Sequence, residues 1–350
     1  MVFRQPAETQ TLFAELSERL RALEAARGFA SLKGGFSRKR IGDAQYWYFK
    51  TSEAAGGQRE YAVGPDTTAT RAVIDEYRRG RAATDEAAAG IARLCAMLRQ
   101  GGAVVTDAAI AKVISALASA GVFRLGGVLI GTHAFIAMAN LLGVRWQSSL
   151  HTQDIDVAVA PVLEVAIGRQ EADVPRALDS LNLGFLPLPG LDPRQPETSF
   201  KVRGRALRVD LLTPRPPRHG GEPIPIRRLK ACAQPLEFID YLLEAPVPVP
   251  IVDGGATLVN VPDPARFALH KLIVGMERPV TARTKSAKDL QQAAQIIEVL
   301  MEDRTGDLEL AVESMNSRPK RWRATLRRAL ERLPGSAAGA KNAVRAKLVT

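Results

Sequence analysis

Acidic residues set inside apolar, strand-like runs constrain this chain more than any other feature. The run Thr152-Gln153-Asp154-Ile155-Asp156-Val157-Ala158-Val159 is followed later by Leu207-Arg208-Val209-Asp210-Leu211-Leu212. Along an extended strand alternate side chains share a face, so Asp154 and Asp156 point one way while Ile155 and Val157 point into a core. Two like charges about 4 Å apart repel by roughly 4 kcal/mol at an effective dielectric near 20, a cost that a bound divalent ion reverses. Three carboxylates in such surroundings therefore predict a Mg2+ site built on strands.

Upstream, Gly131-Thr132 ends the apolar run Val128-Leu129-Ile130 and opens a helical pattern. A glycine there lets backbone N–H groups approach an anion at the positive end of a helix, and with the Thr132 hydroxyl they can hold a triphosphate. In Arg266-Phe267-Ala268-Leu269-His270-Lys271-Leu272-Ile273 the apolar residues can form a buried helix side and leave Lys271 facing a cleft. A lysine there neutralises phosphate charge during transfer. Lys285-Ser286-Ala287-Lys288-Asp289 opens the next helix. No histidine pair has the i, i+4 spacing of a zinc helix. His133 and His151 flank the motifs within reach of a substrate, whereas His219 and His270 read as incidental.

At 350 residues and 46% apolar content, the chain is long enough for two or three domains with real cores. It has no apolar run of about 18 residues, and Met1 to Gln10 lacks the basic-then-apolar order of a secretory leader, so a cytoplasmic location without membrane contact is expected. Cys95 and Cys232 lie far apart and read as buried small apolar residues rather than a disulfide or a metal site. Lys and Arg outnumber Asp and Glu 48 to 37, a formal charge of +11. That excess fits a protein that meets polyphosphates or nucleic acid, and equally a composition set by GC-rich coding. Ten Lys/Arg against the lone Glu331 crowd the stretch from Arg318 onward.

The periodicities predict a helix from Pro6 to Arg27, then three short strands at Gly35–Ile41, Gln45–Lys50 and Gln58–Val63 with turns at Gly42-Asp43 and Ala55-Gly56-Gly57. Their aromatics and cations suit either a small core or a nucleic-acid grip. Helices follow at Thr68–Arg99 and, capped by Thr106-Asp107, through Ala120. Next come a strand Val122–Ile130, a helix His133–Leu142, the Asp154 strand, a helix Glu164–Leu183, and a strand Gly184–Leu188. A hairpin over Thr198–Thr213 turns at Gly204, and a β pair is expected from Leu236–Leu243 and Val247–Val261. Helices at Pro264–Arg278, Lys285–Glu302, Asp307–Asn316 and Pro319–Leu333 close the chain before a basic tail from Ser336 that is marginal helix or disorder. The organisation expected is α+β, with an α/β core. It comprises an N-terminal helix, small sheet and long helix (1–100), a mixed-sheet domain (101–262), a helical domain (263–335) and the tail (336–350).

The glycine turn, the Asp-x-Asp strand and the third acidic strand together resemble the nucleotidyltransferase fold of the DNA polymerase β-like superfamily. Gly126 to Phe135, Thr152 to Val159, Gly35-Phe36-Ser37-Arg38-Lys39, Tyr46-Trp47-Tyr48 and Gly64-Pro65-Asp66 are similar to a bacterial family of that fold. The helical half resembles AbiEii-type and MenT toxin nucleotidyltransferases at Lys271, Lys285, Lys288 and Asp289. The resemblance implies Asp154, Asp156 and Asp210 as catalytic carboxylates holding two Mg2+ ions. It implies Gly131, Thr132, Lys271 and Asp289 as the nucleotide-binding set. It also implies an NTP as substrate, an RNA end such as tRNA as acceptor, and an antitoxin protein as partner. Two departures stand out: 21 residues separate Thr132 from Asp154, longer than usual in the superfamily, and threonine replaces the commoner serine or glycine. Protein or small-molecule acceptors remain open, as does a non-catalytic nucleic-acid-binding or partner-binding protein on the same scaffold.

Overall fold

The computed structural model of the chain describes residues 2–25, 34–52, 58–147, 152–160, 171–189, 194–333 and 338–348. A short strand β1 (Phe3–Arg4) leads into α1 (Ala7–Ala25), which buries Phe13, Leu16 and Leu20 at helical spacing. Strands β2 (Gly35–Ile41), β3 (Ala44–Ser52) and β4 (Gln58–Pro65) form an antiparallel sheet. The sheet packs on α2 (Thr68–Gln100), where Phe36, Phe49 and Tyr77 meet edge to face at 5.1, 5.2 and 5.6 Å. Trp47 donates to Asp66 at 2.8 Å, Arg71 holds the same carboxylate, and Lys39 and Lys50 both pair with Glu60. The module's aromatics thus build its own small core, and several of its cations are neutralised inside it.

Helix α3 (Ala108–Ala120) starts where Asp107 accepts from the N–H groups of Ala109 and Ile110, and stops at Gly121, whose φ of +101° an L side chain resists. Then come β5 (Val128–Ile130), α4 (Gly131–Leu141), β6 (Val144–Arg145), β7 (Asp154–Ala158), α5 (Val174–Asp179), β8 (Phe185–Pro187), β9 (Ser199–Val202) and β10 (Arg208–Pro214). After β11 (Ile224–Ile226), β12 (Ala231–Leu236) and a one-turn α6 (Ile239–Leu242), strands β13 (Val247–Val252) and β14 (Ala256–Val261) form a hairpin. The chain ends in α7 (Pro264–Glu277), α8 (Arg283–Asp303), α9 (Thr305–Asn316), α10 (Lys320–Glu331) and α11 (Ala338–Lys347).

The central sheet runs β11-β12-β10-β7-β5, with β10 parallel to both β7 and β12 and β5 antiparallel to β7. β9 borders the first half of β10 and β12 the second, and β8 extends β9. Mixed sheet and flanking helices make this an α+β fold, as expected. One continuous buried cluster runs from Phe13 through the sheet to Leu348, so α11 docks on the core through Val344 and Leu348. Among the described residues no helix is long and apolar enough to cross a membrane.

Several expected elements differ. Only Val128–Ile130 of the long strand expected from Val122 is extended, because Gly121 and Gly126 adopt left-handed φ and residues 121–126 form turns. Asn260 ties that turn block down by donating to the carbonyls of Phe123 and Gly127 at 2.8 and 3.0 Å. The strand expected at Leu236–Leu243 is broken at Phe238, whose φ of +70° ends β12 and starts α6, while Val247–Val261 folds into a hairpin by itself. The Glu164–Leu183 helix is reduced to α5 within the described residues, and 161–170 lie outside them. So do the turn at 55–57, the ends of the first helix and of the tail, and His151. The long spacing after Thr132 contains β6, which pairs antiparallel with β1 and so brings the N-terminal segment onto the sheet domain.

Candidate active site

Strands β7 and β10 pair parallel with Arg208 opposite Asp154 and Asp210 opposite Asp156. Register partners, and residues two apart along a strand, share a face. Asp154, Asp156, Arg208 and Asp210 therefore form a two-by-two array on strands spaced about 4.8 Å apart. Beneath it Ile155, Val157, Val209 and Leu211 are fully buried. The three carboxylates expected to meet do share this face, and the array includes an arginine not anticipated as a site residue.

On the far side, β5 places Ile130 opposite Asp156, and the chain turns at once into α4. Gly131 has φ +66°, and a Cβ there would lie 2.3 Å from Asp156 Oδ2. Only glycine allows the turn to come this close to the carboxylate. Among the described residues no side-chain cap hydrogen bond closes the start of α4 at Ile130, so its first N–H groups can face an anion. Lys288, from α8, donates to Thr132 Oγ1 at 3.1 Å and so stands over this turn.

The carboxylates differ in their partners. Asp210, 6% exposed, accepts from Ser199 on β9 and from Arg208, whose Nε lies 2.7 Å away. No hydrogen bond reaches the side chains of Asp154 or Asp156 among the described residues. Burial, with Asp210 and Asp154 beside it, pushes the Asp156 carboxyl up to about 7. Oxygen donors of this kind fit a hard divalent cation such as Mg2+, but they are not preassembled around one. Among the described residues no three His, Cys, Asp or Glu side chains group closely enough to hold an ion. The guanidinium of Arg208 takes up the charge of Asp210.

Across the cleft, Lys271 and Asp289 come together, though not as two groups open to a ligand. Lys271 Nζ lies 2.6 Å and Arg278 Nε 2.5 Å from the carboxylate of Asp289, which is only 2% exposed. This clasp joins α7 to α8. Among the described residues Lys285 has no carboxylate within ion-pair distance, and burial beside Lys271 holds Lys288 below the usual lysine range. His133 is buried with neither ring nitrogen bonded among the described residues, and burial next to Lys288 lowers it to about 4, so it stays neutral behind the turn. His270 lines the cleft, and burial lowers it to about 3. His219 lies outside the cleft, where its ring accepts from the Gly221 N–H.

The strand carboxylates, Arg208, the Gly131 turn, His270, the clasp residues, Lys285 and Lys288 border one cleft of about 630 Å³, a size suited to a small-molecule substrate. Arg208 carried a sequence signal, since it stands two residues from Asp210 in an alternating strand. Lys288 matched the resembled helical half, but its partner Thr132 is 156 residues away.

The sequence profile of a family described as Nucleotidyltransferase matches residues 108–317, more than half of the chain. The chain belongs to that family. The match spans the glycine turn, both acidic strands and helices α7 and α8. No curated protein matches. Among solved structures, an antigenic nucleotidyltransferase-like protein from Paracoccidioides brasiliensis is similar over 69% of this chain and 95% of its own, at 13% identity and a TM-score of 0.37. That likeness is too loose to bear on the chemistry.

Proposed function

We propose that this nucleotidyltransferase moves a nucleoside monophosphate from an NTP to a hydroxyl acceptor in a Mg2+-dependent reaction that releases pyrophosphate. One observation carries the reading: the in-register pairing of β7 and β10, which gathers the acidic residues on one face beside the uncapped turn at Gly131. Asp154 and Asp156 would hold the metal, and Asp210 would complete the set once Arg208 yields it. When bound, the two ions of such a site supply charge stabilisation to the attacking and leaving oxygens of an in-line displacement.

The chain's own groups do the rest. Gly131 and Thr132 offer N–H and hydroxyl donors to the triphosphate, and Lys288 and Lys285 add positive charge where pyrophosphate departs. Asp210 orients the attacking hydroxyl, and Arg208, released from it, is free to meet a phosphate. The clasp of Lys271, Asp289 and Arg278 serves this set by fixing α8, and through it Lys288, over the turn. The acceptor is an RNA end, tRNA among the candidates. An antitoxin partner and a cytoplasmic location accompany the toxin-like reading of the helical half.

Purified protein given each labelled NTP, Mg2+ and total RNA should label RNA and release pyrophosphate. EDTA or Asp156→Ala should abolish both. Binding of RNA with steep salt dependence, but no label from any of the four NTPs, would instead favour a binding module on this scaffold.

A further inference from the structure

The cleft has a second half with different chemistry. Away from the carboxylates its wall is apolar, at Leu236, Phe238, Ile239 and Val274, and its rim carries Glu237 and Glu277. Helix α10 runs along that rim. Its Trp322, Leu326, Ala329 and Leu330 face the core, with the Trp322 ring 4.5 Å from that of Phe238. Arg321, Thr325 and Arg328, at i, i+4 and i+7, share the face that meets the rim glutamates. Arg321 donates to Glu237 at 2.8 Å and lies 5.7 Å from the centre of the Phe238 ring. Thr325 donates to Glu277 at 3.1 Å, and Arg328 stands 3.9 Å from the same carboxylate. From the sheet side, Arg215 approaches Glu237 at 3.5 Å.

These arginines are held ready without being used up. The side chains of Arg321 and Arg328 are 63% and 66% exposed. Ion pairs this open contribute little to stability, so an incoming phosphate can displace the carboxylates at little cost. A guanidinium fork matches phosphate geometry. Arg328 is seven positions after Arg321, about 10 Å along the helix axis. One compact anion cannot easily engage both, whereas a strand with repeating phosphates can. An apolar wall beside such a row suits a base.

Resting on the nucleotidyl-transfer reading above, we propose that this rim is the acceptor subsite and that its occupant is a single-stranded nucleic acid. Phosphates sit on Arg215, Arg321 and Arg328, the last base lies against Leu236 and Phe238, and the terminal hydroxyl points toward the strand carboxylates.

The test is fluorescence anisotropy of a labelled single-stranded oligoribonucleotide with the full-length chain, in the absence of NTP, across a salt series. The Arg321→Ala/Arg328→Ala double variant should bind at least ten-fold more weakly. Its log–log salt slope should be shallower by about 1.4, the loss of two phosphate contacts. Arg321→Lys/Arg328→Lys should recover most of the slope, which separates charge from folding, and both variants should melt with wild type. An unchanged affinity and slope in the alanine variant would overturn the proposal, as would no binding by wild type or equal competition by a polyglutamate peptide. Because the binding assay needs no NTP, strand binding at the rim together with no transfer in the NTP-labelling assay would sink the transferase reading alone. Transfer that ignores the double alanine variant would sink the subsite alone.

Discussion

Two carboxylates on opposite walls of the same cleft have opposite fates. Asp289 is 2% exposed and accepts from both Lys271 and Arg278. Asp156 is flanked by Asp154 and Asp210, receives no hydrogen bond among the described residues, and is raised to about 7 by burial and those neighbours. A buried charge that is paired and bonded behaves as a fastener, because removing one partner leaves the other stranded. A buried charge left among like charges is held at a cost by the fold and is relieved when a cation arrives. The helical wall therefore fastens itself, whereas the strand wall carries charge that the proposed cation would relieve, although along the sequence both are simply acids and lysines at helical or strand spacing.

The largest expected effect breaks the strand wall. Asp156→Asn should reduce nucleotide transfer at least a thousand-fold, about 4 kcal/mol on the barrier, while its urea midpoint stays at or above that of wild type. Asp289→Ala should do the reverse to the fold, costing about 3–5 kcal/mol in urea unfolding by leaving Lys271 and Arg278 without their shared acid. If the two variants lost stability equally, the contrast would fail.

A smaller effect is a slope with pH. The folded chain holds the Asp156 proton more tightly than the unfolded chain does, so the metal-free protein loses stability as pH climbs from about 4 to about 7, up to roughly 4 kcal/mol. The neutral histidines 133 and 270 act in the opposite sense below about 6.5. The wild-type profile minus that of Asp156→Asn isolates the carboxylate, and a flat difference would refute its raised affinity for the proton. Smallest of all, Lys288→Ala should raise the KM for NTP about ten-fold, near 1.4 kcal/mol, with little change in melting temperature. Lys271→Ala should lower the melting temperature instead.

What could be read from the sequence was what depends on local spacing. The alternation around Asp154 and Asp210 announces a shared face, and the cap at Asp107 marks a real helix start. What could not be read depends on tertiary register and on single backbone angles. Arg208 sits two residues from Asp210, but its place opposite Asp154 follows from the pairing of strands more than fifty residues apart. Lys271 and Lys288 both lie on amphipathic helices, and only packing decides that the first is consumed by Asp289 while the second reaches Thr132. Phe238 in a left-handed conformation broke a strand that its composition favoured.

The most direct measurement is Mn2+ binding, followed by electron paramagnetic resonance, with a non-hydrolysable NTP analogue present. The account predicts that wild type and Lys271→Ala sequester the ion while Asp156→Asn leaves it free in solution. Equal binding by Asp156→Asn and wild type, or none by wild type, would contradict the claim that the strand face is the cation and nucleotide site.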